Sequence, residues 1–167
     1  MADKVDLSPE AKSLEEFVIF HASPLSKIFN ADSVLIPMWV AETDTGELIV
    51  MATPWGSEEE KAFSIIEVRK VFKDRNASRY AFISEAWTLQ TQGRDLPDSI
   101  KLGGKVSSHP ERREAIIVIA EDKHGNCIQY RRFILRSENG KATLSPPALD
   151  HLNAKDVSGN VSKMLPA

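Results

Sequence analysis

Cysteine occurs once in the 167 residues, at Cys127, so no internal disulfide can form and a cysteine-built zinc site falls far short of ligands. Charge of one sign is also lacking: 21 Lys+Arg stand against 24 Asp+Glu, a net charge of -3. That balance argues against a protein that grips nucleic acid through bulk positive charge, and nucleic acid is not an expected partner. Long apolar runs are absent too. The longest, Ala115 to Ala120, is strand-sized and far below the ~18 residues of a membrane span. The opening Met1-Ala2-Asp3-Lys4-Val5-Asp6 has neither the basic stretch nor the apolar run of a signal peptide. No repeat or low-complexity tract interrupts the chain. The expectation is a soluble cytoplasmic protein, with Cys127 a buried, reduced thiol, and with no membrane partner and no cofactor.

What is present is the composition of an ordinary globular domain, 42% hydrophobic and 27% charged. A chain of this length buries roughly two-thirds of the surface its unfolded form exposes, enough for a core without staples. Residues 1–145 read as a single α+β domain, and 146–167 as a partly helical or mobile tail.

Ser8-Pro9 offers an N-cap followed by proline at the first helical position. Ala11, Leu14, Phe17, Val18 and His21 then recur at helical spacing, and Pro24 closes the helix. Val34–Thr43 and Glu47–Thr53 are rich in strand formers and flank an Asp44-Thr45-Gly46 turn, a hairpin. Pro37 lacks an N–H, which places it at an edge, a strand start or a bulge. Ser57-Glu58-Glu59-Glu60 is a capping box, and Ala62, Phe63, Ile65, Ile66, Val68, Val71 and Phe72 form a broad apolar face on the helix that follows. Lys70, Lys73 and Arg75 bring cations to its C-terminal end. Tyr80–Thr91, Glu114–Glu121 and Cys127–Arg136 read as strands, with a short one at Ala142–Leu144. Gln92–Pro110 reads as a loop. The fold class is therefore α+β: a hairpin-built antiparallel sheet of about five to six strands, with both helices on one face.

This order, helix, hairpin, helix and then three or more strands, resembles profilin-like domains of the roadblock type. It resembles the deaminase-like fold of the JAMM proteases less closely. The resemblance is one of topology and carries no function across. The JAMM metal pattern also requires a His-x-His pair, and no two histidines here lie that close. Within Ile116-Ile117-Val118-Ile119, branched side chains point to both sheet faces, which predicts a central strand covered on both sides by helix, tail or a second protomer.

Six residues stand out as catalytic, binding or metal candidates beside Trp87. Glu85 shares a strand face with Ala81, Ile83, Trp87 and Leu89, so its carboxyl has a raised pKa, or pairs with Arg113, Arg131 or Arg132, or the face is partly open. His109, within Ser107-Ser108-His109-Pro110-Glu111-Arg112-Arg113-Glu114, is a candidate acid or base, and Arg112 and Arg113 are forks for carboxylate or phosphate. The alternative is a solvated charge cluster entering a strand. Pro97-Asp98 and Glu121-Asp122-Lys123 resemble the metal site of the PD-(D/E)xK nucleases, which implies Asp98 and Glu121 as ligands and Lys123 beside the attacking water. That family places a helix after the second half of the motif, where this chain has a His124-Gly125 turn. Gly103-Gly104-Lys105 lacks the glycine spacing of a phosphate loop and reads as a turn. Trp39, Trp55 and Trp87 line a ligand groove or pack in core and rim. Tyr130, Arg131, Arg132 and Arg136 lie on a strand, but alternation splits the arginines between two faces. A catalytic Cys127 needs a neighbouring base, and a turn separates it from His124.

The expected function is a non-enzymatic binding or assembly module, associating with itself as a dimer, its small-molecule or protein ligand unspecified. The alternative is a hydrolase, metal-dependent and acting on a phosphoester.

Overall fold

The computed structural model describes residues 6–32, 35–89, 109–153 and 161–166. Ser8 caps the first helix, α1 (Pro9–Asp32), its hydroxyl accepting the Ala11 N–H at 3.1 Å. The helix does not end at Pro24 but carries it inside. Proline removes one helical hydrogen bond and crowds the preceding turn, yet the backbone on either side remains helical.

The hairpin follows as β1 (Met38–Thr43) and β2 (Leu48–Ala52), with Gly46 at φ +83° in its turn. Pro37 sits immediately before β1 and contributes its carbonyl to the Thr53 N–H at 2.8 Å. Helix α2 (Glu58–Asp74) starts at Ser57, whose Oγ accepts the Glu60 N–H. Glu60 completes the box one residue further back than expected, on the Gly56 N–H at 2.6 Å. Strands β3 (Ala77–Thr88), β4 (Arg113–Asp122), β5 (Asn126–Arg136) and β6 (Ala142–Leu144) come next.

The segment expected as a tail holds two ordered pieces. Ala148–Asn153 is a seventh strand, β7, paired antiparallel with Asn126–Arg131 of β5. Val161–Pro166 returns to the protein and buries Met164 to 2% exposure. The reason is cover: β5 would otherwise present an unpaired edge, and the sheet face under Met164 is aromatic.

All pairings are antiparallel, in the order β2-β1-β3-β4-β5-β6, with β7 also on β5. This is the α+β class expected from the hairpins, its antiparallel sheet counting seven strands among the described residues. The helices do not share a face. Leu14, Phe17 and Val18 of α1 pack on Val40, Ile83, Val118, Ile128 and Ile134. Ile65, Val68 and Phe72 of α2 pack on Trp39, Tyr80, Phe82 and Met164, which alternation places on the other side. Hairpin patterns specify neighbours within a sheet and leave the side taken by a helix open.

Strand β4 is central, as its apolar run predicted. Its two faces differ in cover. Ile116 and Val118 are buried under α1, while Ile117 and Ile119 are half-buried where α2 does not reach.

Candidate functional site

Several sequence candidates meet on the α1 face, at the edge where β3 ends and β4 begins. Glu85 pairs in register with Ile116, and Trp87 with Glu114. Glu85 accepts the Leu35 N–H at 2.9 Å. Glu114 is held by a two-pronged contact from Arg136, at 2.8 and 2.7 Å. The Arg112 guanidinium lies 4.9 Å from the Trp87 ring centre, and Arg112 also donates to the His109 carbonyl at 3.1 Å. The His109 ring takes the Glu111 N–H on Nδ1, so it braces its own turn. Arg113 goes to the opposite face, its guanidinium 3.7 Å from the Phe133 ring centre. Glu85, Trp87 and Arg112 are therefore brought together, His109 joins them through its backbone, and Arg113 does not.

The two carboxyls of this edge are driven apart in acidity. Burial raises Glu85 above the ordinary carboxylate pKa, and Glu114 adds to that; the Leu35 N–H and Arg136 oppose it. The hydrogen bond from Arg136 lowers Glu114. The arginine that acts on Glu85 is thus Arg136. Of the three arginines expected beside it, Arg131 pairs with Asp150 and Arg132 donates to the Ser145 carbonyl. A carboxyl whose folded pKa is raised contributes stability below its unfolded pKa and loses it as pH rises through the folded value. A lowered one, Glu114, contributes above its unfolded pKa and loses it as pH falls. Glu85→Gln keeps an acceptor for Leu35 and removes the charge. Its stability relative to the parent is expected to rise as pH climbs above the unfolded carboxylate pKa of about 4.3, through the raised folded value. A difference in urea midpoints that stays constant with pH contradicts this.

The second cluster lies on the α2 face at the far end of the sheet. Glu121, 3% exposed, pairs across β4–β5 with Cys127 and across β3–β4 with Tyr80. Its Oε2 accepts the Tyr80 hydroxyl at 2.6 Å and the Lys163 N–H at 2.7 Å. The Val161 carbonyl stands 2.9 Å from the same hydroxyl. Glu121 therefore fastens the returning C-terminal segment to the sheet. Its Oε1 is buried with no hydrogen-bond partner among the described residues. Burial and the Glu121 carboxylate push Tyr80 far up, and the same two causes push the Cys127 thiol up to about 12. A thiol so placed is not a nucleophile at neutral pH. A thiol-reactive dye is expected to label Cys127 only in denaturant; prompt labelling of the native protein contradicts that.

Only the second half of the nuclease-like pattern falls among the described residues. Asp98 lies outside the described residues, as do Ser107, Ser108 and Gly103-Gly104-Lys105. Glu121 is occupied by Tyr80 and Lys163, and Lys123 Nζ reaches Asp44 at 2.6 Å. No group of three or more His, Cys, Asp or Glu side chains suited to a metal occurs among the described residues. The segment after Glu121-Asp122-Lys123 is the β4–β5 turn.

Two clefts flank that turn. One, of about 370 Å³, lies beside the start of α1 and is lined by Ser13, Glu42, Arg79, Asp122, Lys123 and His124. Its cations are engaged: Arg79 with Glu42 and Ser13, Lys123 with Asp44. The other, of about 400 Å³, lies between the turn and Lys163, Leu165 and Pro166. Neither is lined by Glu85, Trp87, His109, Arg112 or Arg113. The tryptophans line no common groove. Trp39 is in the α2-side core, Trp55 stacks on Phe82 at its rim, and Trp87 stands on the α1 face.

A third surface escaped the sequence reading. Phe63 and Ile66 of α2, expected within its apolar face, are 65% and 60% exposed. A helix on a sheet buries one stripe, and Ile65, Val68 and Phe72 fill it. The spacing of Phe63 and Ile66 from that stripe was the available signal. Leu48 and Val50, at 50% and 60%, add an apolar strip on the edge strand β2. No helix among the described residues is long and apolar enough to cross a membrane. No protein-family model, curated protein or solved structure matches the chain, so the likeness to profilin-like domains rests on element order alone.

Proposed function

We propose that this chain is a non-enzymatic binding or assembly module that associates with itself. The observation that carries the reading is the pair Phe63 and Ile66, large apolar side chains held out to solvent on a well-capped helix whose inner stripe is already used. The residues that would serve chemistry have structural work instead. Glu121 fastens the C-terminal segment, Arg79 and Lys123 are in ion pairs, and Cys127 is buried with a raised pKa. A metal-dependent hydrolase built on Glu121 has to release Tyr80 and Lys163 first, which weighs against that alternative. The buried, unbridged thiol supports a reducing compartment such as the cytoplasm.

Light scattering across a concentration series tests the reading. The expected mass rises above 18.6 kDa with concentration. A particle of 18.6 kDa throughout contradicts self-association.

A further inference from the structure

The outward stripe of α2 holds more than two apolar residues. Glu59, Phe63, Ile66 and Lys70 follow one another at spacings of four, three and four, which aligns them along one side of the helix. All four are exposed. The stripe is polar at its ends and apolar in its middle, and its two ends carry opposite charge. Glu58 and Glu60 reinforce the acid at the start of the helix, and Lys73 reinforces the base at its end.

Such a stripe is complementary to a copy of itself in one orientation. Resting on the self-association proposed above, we infer that two copies join through α2 packed antiparallel on α2, with the twofold axis between Phe63 and Ile66. In that register Phe63 meets the partner's Ile66, and Glu59 meets the partner's Lys70, each contact occurring twice. The parallel arrangement sets Glu59 against Glu59 and Lys70 against Lys70, so charge selects the antiparallel one. Opposed helix dipoles act in the same sense. The strip on β2, Leu48 and Val50, has no such arrangement of charge at its ends, and the half-covered Ile117 and Ile119 lie inside a face. Neither selects a partner as the α2 stripe does. Four side chains per copy make a small interface, so the dimer belongs to the weak, reversible class, with a Kd on the order of micromolar or weaker.

The test is a charge exchange read by sedimentation equilibrium over about 1–500 µM, the range in which so small an interface dissociates. Glu59→Lys puts lysine against the partner's Lys70, and Lys70→Glu puts glutamate against the partner's Glu59. Each single variant is expected to weaken association about tenfold, since two attractive pairs become repulsive. The double variant, E59K with K70E, restores opposite signs at both contacts and is expected to regain the parent affinity. Both positions are exposed, so circular dichroism should report a folded chain in all three variants. Singles that associate as tightly as the parent overturn this geometry, as does a double variant no better than the singles; self-association through β2 or the sheet face then takes its place. A parent that stays monomeric throughout overturns the self-association reading itself.

Discussion

Trp39→Ala is expected to lower the stability of the fold by about 3–5 kcal/mol, the range for removing a buried aromatic side chain. Trp39 has no exposed surface, and it is the second residue of β1, paired with Met51 of β2 and Phe82 of β3. Its ring centre lies 4.3 Å from that of Phe82, 6.0 Å from Tyr80 and 6.1 Å from Phe72. Trp39, Phe82 and Tyr80 are the floor on which α2 rests through Phe72. The indole N–H also donates to the buried Thr53 hydroxyl at 2.9 Å, so truncation leaves a cavity and an orphaned polar group together. For a chain of this size the loss is roughly a 10 °C drop in Tm. Trp39→Phe keeps a ring and is expected to cost less than half as much. Trp87→Ala makes the contrast: an exposed tryptophan beside Arg112 should change stability by about 0.5 kcal/mol or less. Equal losses for Trp39→Ala and Trp87→Ala in chemical denaturation contradict this account of the core.

Met164→Ala carries the second large effect, a loss of about 2–5 kcal/mol. Near a chain end such a residue ordinarily matters little. Here it joins the α2-side core with Trp39, Phe72 and Tyr80, and it is held there by Glu121 on the Lys163 N–H. Glu121→Ala is expected to cost about 1–3 kcal/mol, because the buried Tyr80 hydroxyl and the Lys163 N–H then lose their shared acceptor. The two losses should add to less than their sum in the double variant, since one change releases the segment on which the other acts. A Met164→Ala chain as stable as the parent in urea contradicts the docking of the C-terminal segment.

Legibility in the sequence followed the range of the interaction. The Ser57 cap of α2 and the turns at Asp44-Thr45-Gly46 and His124-Gly125 are local chemistry and stand where the sequence places them. Helix α1 runs past Pro24 because a proline penalty is one contribution against the rest of the helix, and propensity alone overweights it. Strand β7, Ala148-Leu149-Asp150-His151-Leu152-Asn153, has no β-branched residue and acquires its state from pairing with β5. Met164 has no periodic neighbours to announce its burial. Glu121 stands next to a turn, where carboxylates are usually wet, and its hydrogen-bond partners Tyr80 and Lys163 converge on it from distant positions. At the β3–β4 edge, strand alternation made the shared face of Glu85 and Trp87 legible; that Arg112 comes to the same face while Arg113 leaves it depends on the β3–β4 register, which no local pattern states.

The most direct test of the central claim, association through the outer stripe of α2, is a dilution series of amide NMR spectra on the uniformly labelled parent chain. Resonances of Glu59 to Lys70 are expected to shift with concentration, along a single binding curve. Shifts confined to Leu48–Ala52 or to the strand around Ile117 and Ile119, or spectra that do not change, contradict it.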